Sequence, residues 1–433
     1  MQRKENPVNK KKGLNNLLLT VLTVTPLIII PHSLDYSCFP KIYFVYIISA
    51  TMFVLWFLNR EDNKLNFDSV EKVIIIYFFA VIVSTVFSVN YKVSIYGNFK
   101  RDEGLFAIIV YIYLFIVANR NYTFSEKHVK FLLISATIVA VYGISQYFGF
   151  DPILRDPTRI KWGGRAFATM GNSNFLGSYL TLILPISIFT YLYTHKNIYL
   201  LTSGLIYLSL LCTLTRSAWL GALISVIILI IYSIIYKLDK KYIVILLAIF
   251  TVITIVMNNI SSGKIIGRFF TIGIDFKNVV EQAPNYQKAG AGRIFIWKRV
   301  LKLISQKPLF GHGLETLGIV FTEHFYYDII ERYNKLITFD KAHNEYLHIA
   351  VTTGIPSLII YLYFVSNIVI KAIKSVNKNI IIIPLLCSVI GYLVQAFFNI
   401  SVVSVAYIYW IMLGILLNIS TESTEIETEN IRS

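Results

Sequence analysis

Four groups of polar residues carry the possible chemistry of a chain that is otherwise apolar. The first is Arg155, Arg159, Lys161 and Arg165, followed by Gly171-Asn172-Ser173-Asn174. Asn and Ser suit a helix N-cap, and the free amides of a helix start favour an anion. Capping alone also explains Asn172 and Asn174. The second is Thr215-Arg216-Ser217, a tight turn between two apolar runs. An Arg there either snorkels or meets an anion, and its planar fork matches phosphate oxygens two at a time. The third is Gly290-Ala291-Gly292-Arg293 and the IFIWKRVLKLISQKP that follows Gly292-Arg293. Trp297, Val300, Leu301, Leu303 and Ile304 recur there at helical spacing, and Lys298, Arg299 and Lys302 take another face. This predicts a basic amphipathic helix, lying in the outer membrane interface or inside a folded external region. The fourth is Asp340-Lys341-Ala342-His343-Asn344-Glu345. A neutral imidazole at His343 can take a proton from a hydroxyl near neutral pH, oriented by Glu345 or Asp340. The plainer reading is Asn344 capping a helix beside a bystander histidine.

The elements that must position these residues are membrane spans. Apolar residues make up 56% of the 433 and charged residues only 15%. Both depart from a soluble domain, which carries about 45–50% and about 25%. The formal charge of +16 therefore reads first as a membrane property, not as a nucleic-acid footprint, and no nucleic-acid partner is expected. A span needs about 20 mostly apolar residues. Twelve stretches qualify: 14–31, 42–58, 69–88, 104–118, 129–148, 174–194, 197–213, 216–236, 241–258, 344–370, 379–398 and 400–419. With the N-terminus inside, the expected inner loops hold about twice the Lys and Arg of the short outer ones, as the positive-inside rule demands. The expected plan is spans one to nine over 1–258, an external loop with the amphipathic helix over 259–343, spans ten to twelve over 344–419, and a polar, disordered cytoplasmic tail over 420–433. Cys38, Cys212 and Cys387 are scattered, with no disulfide or zinc spacing. The spans hold almost no charge, His348 and Gln395 being the clearest midplane polar residues, which argues against a transporter of a lipid-linked sugar.

Five motifs, in order, resemble the O-antigen ligase superfamily, which includes ligases, polymerases and protein O-oligosaccharyltransferases. They are Gly-Asn-Ser-Asn-Phe-Leu-Gly-Ser at 171–178, Thr-Arg-Ser-Ala-Trp-Leu-Gly at 215–221, Gly-Arg-x-x-x-Trp at 292–297, Pro-Leu-Phe-Gly-His-Gly at 308–313, and His-Asn-Glu-Tyr-Leu with Thr-Gly-Ile-Pro at 343–356. The resemblance implies an all-α polytopic protein that moves a glycan from undecaprenyl diphosphate to an acceptor hydroxyl at the outer face of the bacterial cytoplasmic membrane. The transfer is inverting, with no metal and no cofactor. It implies His343 as the base and Arg216 and Arg293 as holders of the diphosphate. Arg155, Arg159, Lys161, Arg165, Asn172, Asn174, Lys298, Arg299, Asn344 and Glu345 are the candidate substrate-binding residues around them. The acceptor is a glycan, lipid or protein. Ligase is the leading expectation; a polymerase joining lipid-linked repeats is the alternative. Asp35, alone in the first loop, speaks against the metal-dependent membrane glycosyltransferases that carry an acidic pair there.

Overall fold

The computed structural model describes residues 7–31, 35, 37–58, 67–99, 101–153, 164–271 and 292–432. Among these the chain is helical, with no strand. In order, the elements are α1 Pro7–Val24, α2 Cys38–Leu58, α3 Ser69–Val86, α4 Tyr91–Tyr96, α5 Leu105–Asn121, α6 Glu126–Tyr147, α7 Ser173–Thr194, α8 Asn197–Cys212, α9 Arg216–Ile235 and α10 Lys240–Ile260. Then follow α11 Arg293–Gln306, α12 Leu317–Tyr333, α13 Glu345–Thr353, α14 Ile355–Ser375, α15 Ile382–Ala396 and α16 Val403–Arg432. Eight of the described helices are long and apolar enough to cross a membrane. α5, α8 and α15 are apolar but shorter. The chain is an all-α polytopic membrane protein.

Two helices form the axis. In α7, 94% of the most apolar window is buried inside the protein, and in α16 all of it is. A helix buried on every side needs no polar face, which is why neither sequence shows amphipathic periodicity. α16 lies against α5, and α7 lies against α8, α9 and α15. α16 continues to Arg432, where the sequence reading expected disorder after Ile419. The Glu-rich tail extends an already formed helix, so it bears no nucleation cost.

The expected external loop holds a second, smaller core. Phe295, Val300 and Leu303 of α11 and Leu317, Val320 and Phe321 of α12 pack with Ala350 and Val351 of α13. The amphipathic helix is thus part of a second folded core. Leu301, placed on its apolar face from spacing, is 54% exposed, while Phe295 and Ile296 are buried. α13 belongs to this core, so the expected span at 344–370 is split.

The split has a local cause. Gly354 has φ of 90°, and a Cβ there would stand 2.1 Å from the Leu309 carbonyl oxygen. Pro356 follows in the first turn of α14, where its missing N–H costs nothing. Gly354→Val is therefore expected to lower the thermal midpoint of the detergent-solubilised protein sharply. Gly267→Ala, with nothing within 4 Å of the added Cβ, is expected to leave it unchanged. Equal midpoints for the two variants would refute the packing argument.

Candidate active site

His343 sits at the junction of the two cores, immediately before the N-cap of α13. Asn344 accepts the Leu347 amide at 3.0 Å, and His343 itself takes a left-handed φ of 51°. Beside it, Arg101 donates to Asp340 at 2.6 Å. Burial, then the nearby Arg293 guanidinium, push the His343 imidazole down to about 4, with Asp340 opposing. The ring is therefore neutral at pH 7. The carboxylates proposed from sequence to orient it are engaged elsewhere. Asp340 takes the Arg101 guanidinium, and Glu345 accepts the Tyr392 hydroxyl at 3.3 Å.

What fixes the segment before His343 is Lys341. Its ammonium is 1% exposed and donates to Glu315 at 2.6 Å and to Glu103 at 2.9 Å. Burial disfavours the charge, but the two carboxylates outweigh it and hold the Lys341 pKa above its ordinary value. Glu103 also accepts from Ser401 at 2.9 Å. One ammonium thus ties residue 341 to the turn before α12, the loop before α5 and the entry to α16. The loop before α5 is closed by its own glycines. A Cβ on Gly104 would meet the Gly97 nitrogen at 2.4 Å, so a larger residue is excluded. Within it Asp102 takes φ of 52°, which Asp tolerates better than most residues. That kink sends Arg101 to Asp340 and Glu103 to Lys341.

The motifs meet in space. Trp297 donates its indole N–H to the Ala342 carbonyl at 3.0 Å, linking the Arg293 helix to His343. In the 308–313 turn, His312 N–H reaches Val351 at 2.9 Å and Gly313 N–H reaches Thr352 at 2.8 Å. Arg165 donates to Thr213 O and Thr215 Oγ1, both at 2.9 Å, and to Asn174 Oδ1 at 3.5 Å. This joins the start of α7 to the turn before α9. There Asn172 accepts the Asn174 amide at 2.8 Å, so the capping reading of Asn172 holds. Arg216 donates to Thr271 at 2.9 Å, and Arg268 to Leu214 O at 2.9 Å. Burial, then Arg268, push Arg165 down to about 10; burial, then Arg216, lower Arg268. Arg165 and Arg268 remain charged at neutral pH. Arg165 and Arg216 thus each lie close enough to Arg268 for the charges to repel.

The two clusters are bridged. The Arg101 guanidinium lies 5.9 Å from the centre of the Phe175 ring, in the first turn of α7. Asn399 donates to Ser178 Oγ at 3.1 Å and to Asn174 O at 3.4 Å. Trp297 meets the rings of Phe397 and Phe398 at 5.7 and 6.3 Å. The connection 397–401 therefore touches both sides of the site, although nothing in its sequence singled it out. Arg101, Glu103, Glu315 and Arg268 were also missed; the signal for the first two was a charged Arg-Asp-Glu-Gly run between apolar spans. Of the remaining candidates, Arg155, Arg159 and Lys161 lie outside the described residues. Lys298 is exposed. Arg299 pairs with Asp328 at 2.6 Å and lies 3.5 Å over the Phe295 ring, which makes it part of the α11–α12 contact. His348 Nδ1 and both polar atoms of Gln395 are buried without a hydrogen-bond partner among the described residues. Asp35 caps α2 through the Cys38 and Phe39 amides. In the fold it has a neighbour: burial, then Asp35, raise Asp102 to about 6.

Removing one partner of a buried ion pair costs about 3–5 kcal/mol. Lys341→Met is expected to destabilise on that scale, with most of the loss recovered when Glu103→Gln and Glu315→Gln are added. Because its folded pKa lies above the unfolded value, the contribution of Lys341 is complete at neutral pH. It is lost as pH rises beyond ~10.4 through the folded pKa. The deficit of Lys341→Met is expected to shrink as acid protonates the stranded carboxylates. A triple variant no more stable than the single one in a thermal melt would refute the charge account.

Residues 198–362 match the family model described as O-Antigen ligase. A protein of Haemophilus influenzae described as uncharacterized is 23% identical over 376 residues, covering 84% of this chain and 86% of its own. The family match takes in Arg216, Arg293, the 308–313 turn and His343, while the motif at 171–178 lies before it. Residues 198–362 thus carry the O-antigen ligase family pattern, and the resemblance read from the motifs holds over that segment.

Proposed function

We propose that the protein transfers a glycan from undecaprenyl diphosphate to an acceptor hydroxyl at the outer face of the bacterial cytoplasmic membrane, with both termini inside. The observation that carries this reading is His343, an imidazole held neutral by burial and the nearby Arg293 guanidinium, three residues from the Asp340 that pairs with Arg101. In the proposed step the acceptor oxygen attacks the anomeric carbon from the face opposite the diphosphate. The new C–O bond forms as the bond to the diphosphate oxygen breaks, which inverts the centre. The hydroxyl proton passes to His343, and the leaving diphosphate carries away the bonding pair. Arg293 holds it, with Arg216 and its neighbours Arg268 and Arg165 as the second cationic site. Preorganised guanidinium groups in a poorly hydrated site stabilise charge that develops only in the transition state. They supply what a metal ion supplies in other transferases, so the reading needs none.

The donor also tunes its own base. A diphosphate beside Arg293 offsets the positive field on His343 and raises its proton affinity. An anion favours the protonated ring, so the sign is upward. The pH profile of kcat/KM, which reports the free enzyme, is expected to show an acid limb near about 4. The kcat profile is expected to show that limb at higher pH. Coincident limbs near the ordinary imidazole value would remove His343 as the base.

His343→Ala, Arg293→Ala and Arg216→Ala are each expected to abolish transfer from a defined undecaprenyl-diphosphate glycan while leaving protein levels normal. Arg216→Lys is expected to lose most activity, because an ammonium cannot reproduce the fork. Purified protein is expected to work in chelator; strict dependence on a divalent ion sinks the metal-free step.

A further inference from the structure

Lys41 is a second buried ammonium, and the transfer step makes no use of it. It stands near the start of α2 and is 0% exposed. Three backbone carbonyls accept from it: Ile28 after α1 at 2.6 Å, Thr169 before α7 at 2.7 Å, and Ser37 at 3.4 Å. Burying an ammonium is costly even when it is hydrogen-bonded, and apolar side chains often serve stability as well as buried charges do. What the ammonium adds is direction. Its three N–H groups fix where the accepting carbonyls stand.

The Thr169 carbonyl belongs to a turn that is held from several sides. The Thr169 hydroxyl donates to Pro26 O at 2.5 Å. Gln146, at the end of α6, accepts the Ala168 amide at 2.7 Å and the Phe167 amide at 3.3 Å. The Ala166 amide donates to Cys212 O, at the end of α8, at 3.0 Å. Within the turn Ala168 takes a left-handed φ of 45°. A non-glycine residue stays in that region only where its surroundings over-determine it.

The two flanks of this turn are the residues that meet at the cationic site. On one side Arg165 donates to Thr215 Oγ1 at 2.9 Å. On the other, Asn174 Oδ1 accepts from the same hydroxyl at 3.4 Å. Thr215 immediately precedes Arg216. The backbone between the flanks therefore decides whether Arg165 and Asn174 converge beside Arg216, and Lys41 grips that backbone from a helix that brings no charge of its own to the cluster.

We propose that Lys41 is a positioning residue for the diphosphate, acting through the Thr169 carbonyl to hold Arg165 and Asn174 in register with Arg216. Lys41 itself touches no substrate. The proposal rests on the transfer reading above and deepens its donor site, and Gln146 and Thr169 share the same task from the α6 and α1 sides.

The test uses the full chain in nanodiscs and two readouts: binding of undecaprenyl diphosphate with no acceptor present, and transfer kinetics with a defined undecaprenyl-diphosphate glycan. Lys41→Met is expected to weaken binding about tenfold, or ~1.4 kcal/mol. The donor KM is expected to rise by a similar factor, with a smaller change in kcat, because what is lost is binding that the ground state already enjoys. A merely structural lysine would lower the active fraction, and so kcat, and leave KM and binding alone. Gln146→Leu and Thr169→Val release the same turn without removing a charge and are expected to weaken binding in the same direction; they carry the test if Lys41→Met does not fold. Ser135→Ala removes a buried bond from α6 to Thr23 O, about 16 Å along α6 from Gln146 at 1.5 Å per residue. It is expected to lower the thermal midpoint and leave binding unchanged. Wild-type binding in the folded turn variants, or an equal loss in Ser135→Ala, overturns the proposal. Weakened binding in a protein that transfers to no acceptor keeps the clamp and removes the transfer reading. Transfer by a protein whose donor binding ignores all three turn variants does the reverse, and a wild-type chain that binds no undecaprenyl diphosphate removes both.

Discussion

Lys341 is a cation that the fold cannot leave alone. Taking an ammonium out of water costs several kcal/mol even after relaxation, and Lys341 is almost completely enclosed. Two carboxylates meet it, and they come from sites 238 and 26 residues away along the chain. The geometry of the candidate site follows from that demand. Glu103 can reach Lys341 because the 97–104 loop is closed on glycine, and the same closure aims Arg101 at Asp340. Glu315 can reach it because the turn at 311–313 is hydrogen-bonded to the end of α13. With 341 fixed, the strained backbone of His343 has only one place to be.

The division of charge across the site repeats this logic at larger scale. Arg165, Arg268 and Arg216 crowd one turn. Asp35 and Asp102 crowd another. His343 is kept neutral by burial and by Arg293. Like charges held together in a folded protein are a standing cost, and a ligand of opposite character lowers it. The +16 of the whole chain therefore says less than its placement.

The sequence was a good guide to elements and a poor one to their meetings. Apolar runs located eight helices of spanning length because bilayer length leaves little freedom, while α1, expected to hold the first span, is not among them. Local rules located the cap at Asn344 and the turn at Arg216. Spacing also marked the α11 helix and its buried face at Val300, Leu303 and Ile304, but Leu301 points outward, and Phe295 and Ile296, which spacing did not name, point inward. A periodicity count knows nothing of the partner helix, α12, which decides which flank of the apolar stripe is covered. The Lys341 triad stayed invisible for a similar reason. Glu103 and Glu315 each look like an ordinary outer charge until the chain is folded. Arg299, by contrast, looked like a ligand and proved to be occupied by Asp328.

The break at Gly354 sets a limit on the membrane the protein can inhabit. α14 runs from Ile355 to Ser375, 21 residues, or about 31 Å at 1.5 Å per residue. That is the hydrocarbon thickness of an ordinary bilayer, with nothing in reserve. A helix that is too long can tilt; one that just fits cannot lengthen. Above it, the chain turns directly into the hydrogen bonds that join Pro308 to Ile355, and these belong to the site. A thicker bilayer would draw that junction into hydrocarbon, where irregular backbone is tolerated only when covered by protein. Lipid composition thereby reaches the candidate site through a length, without any headgroup being recognised.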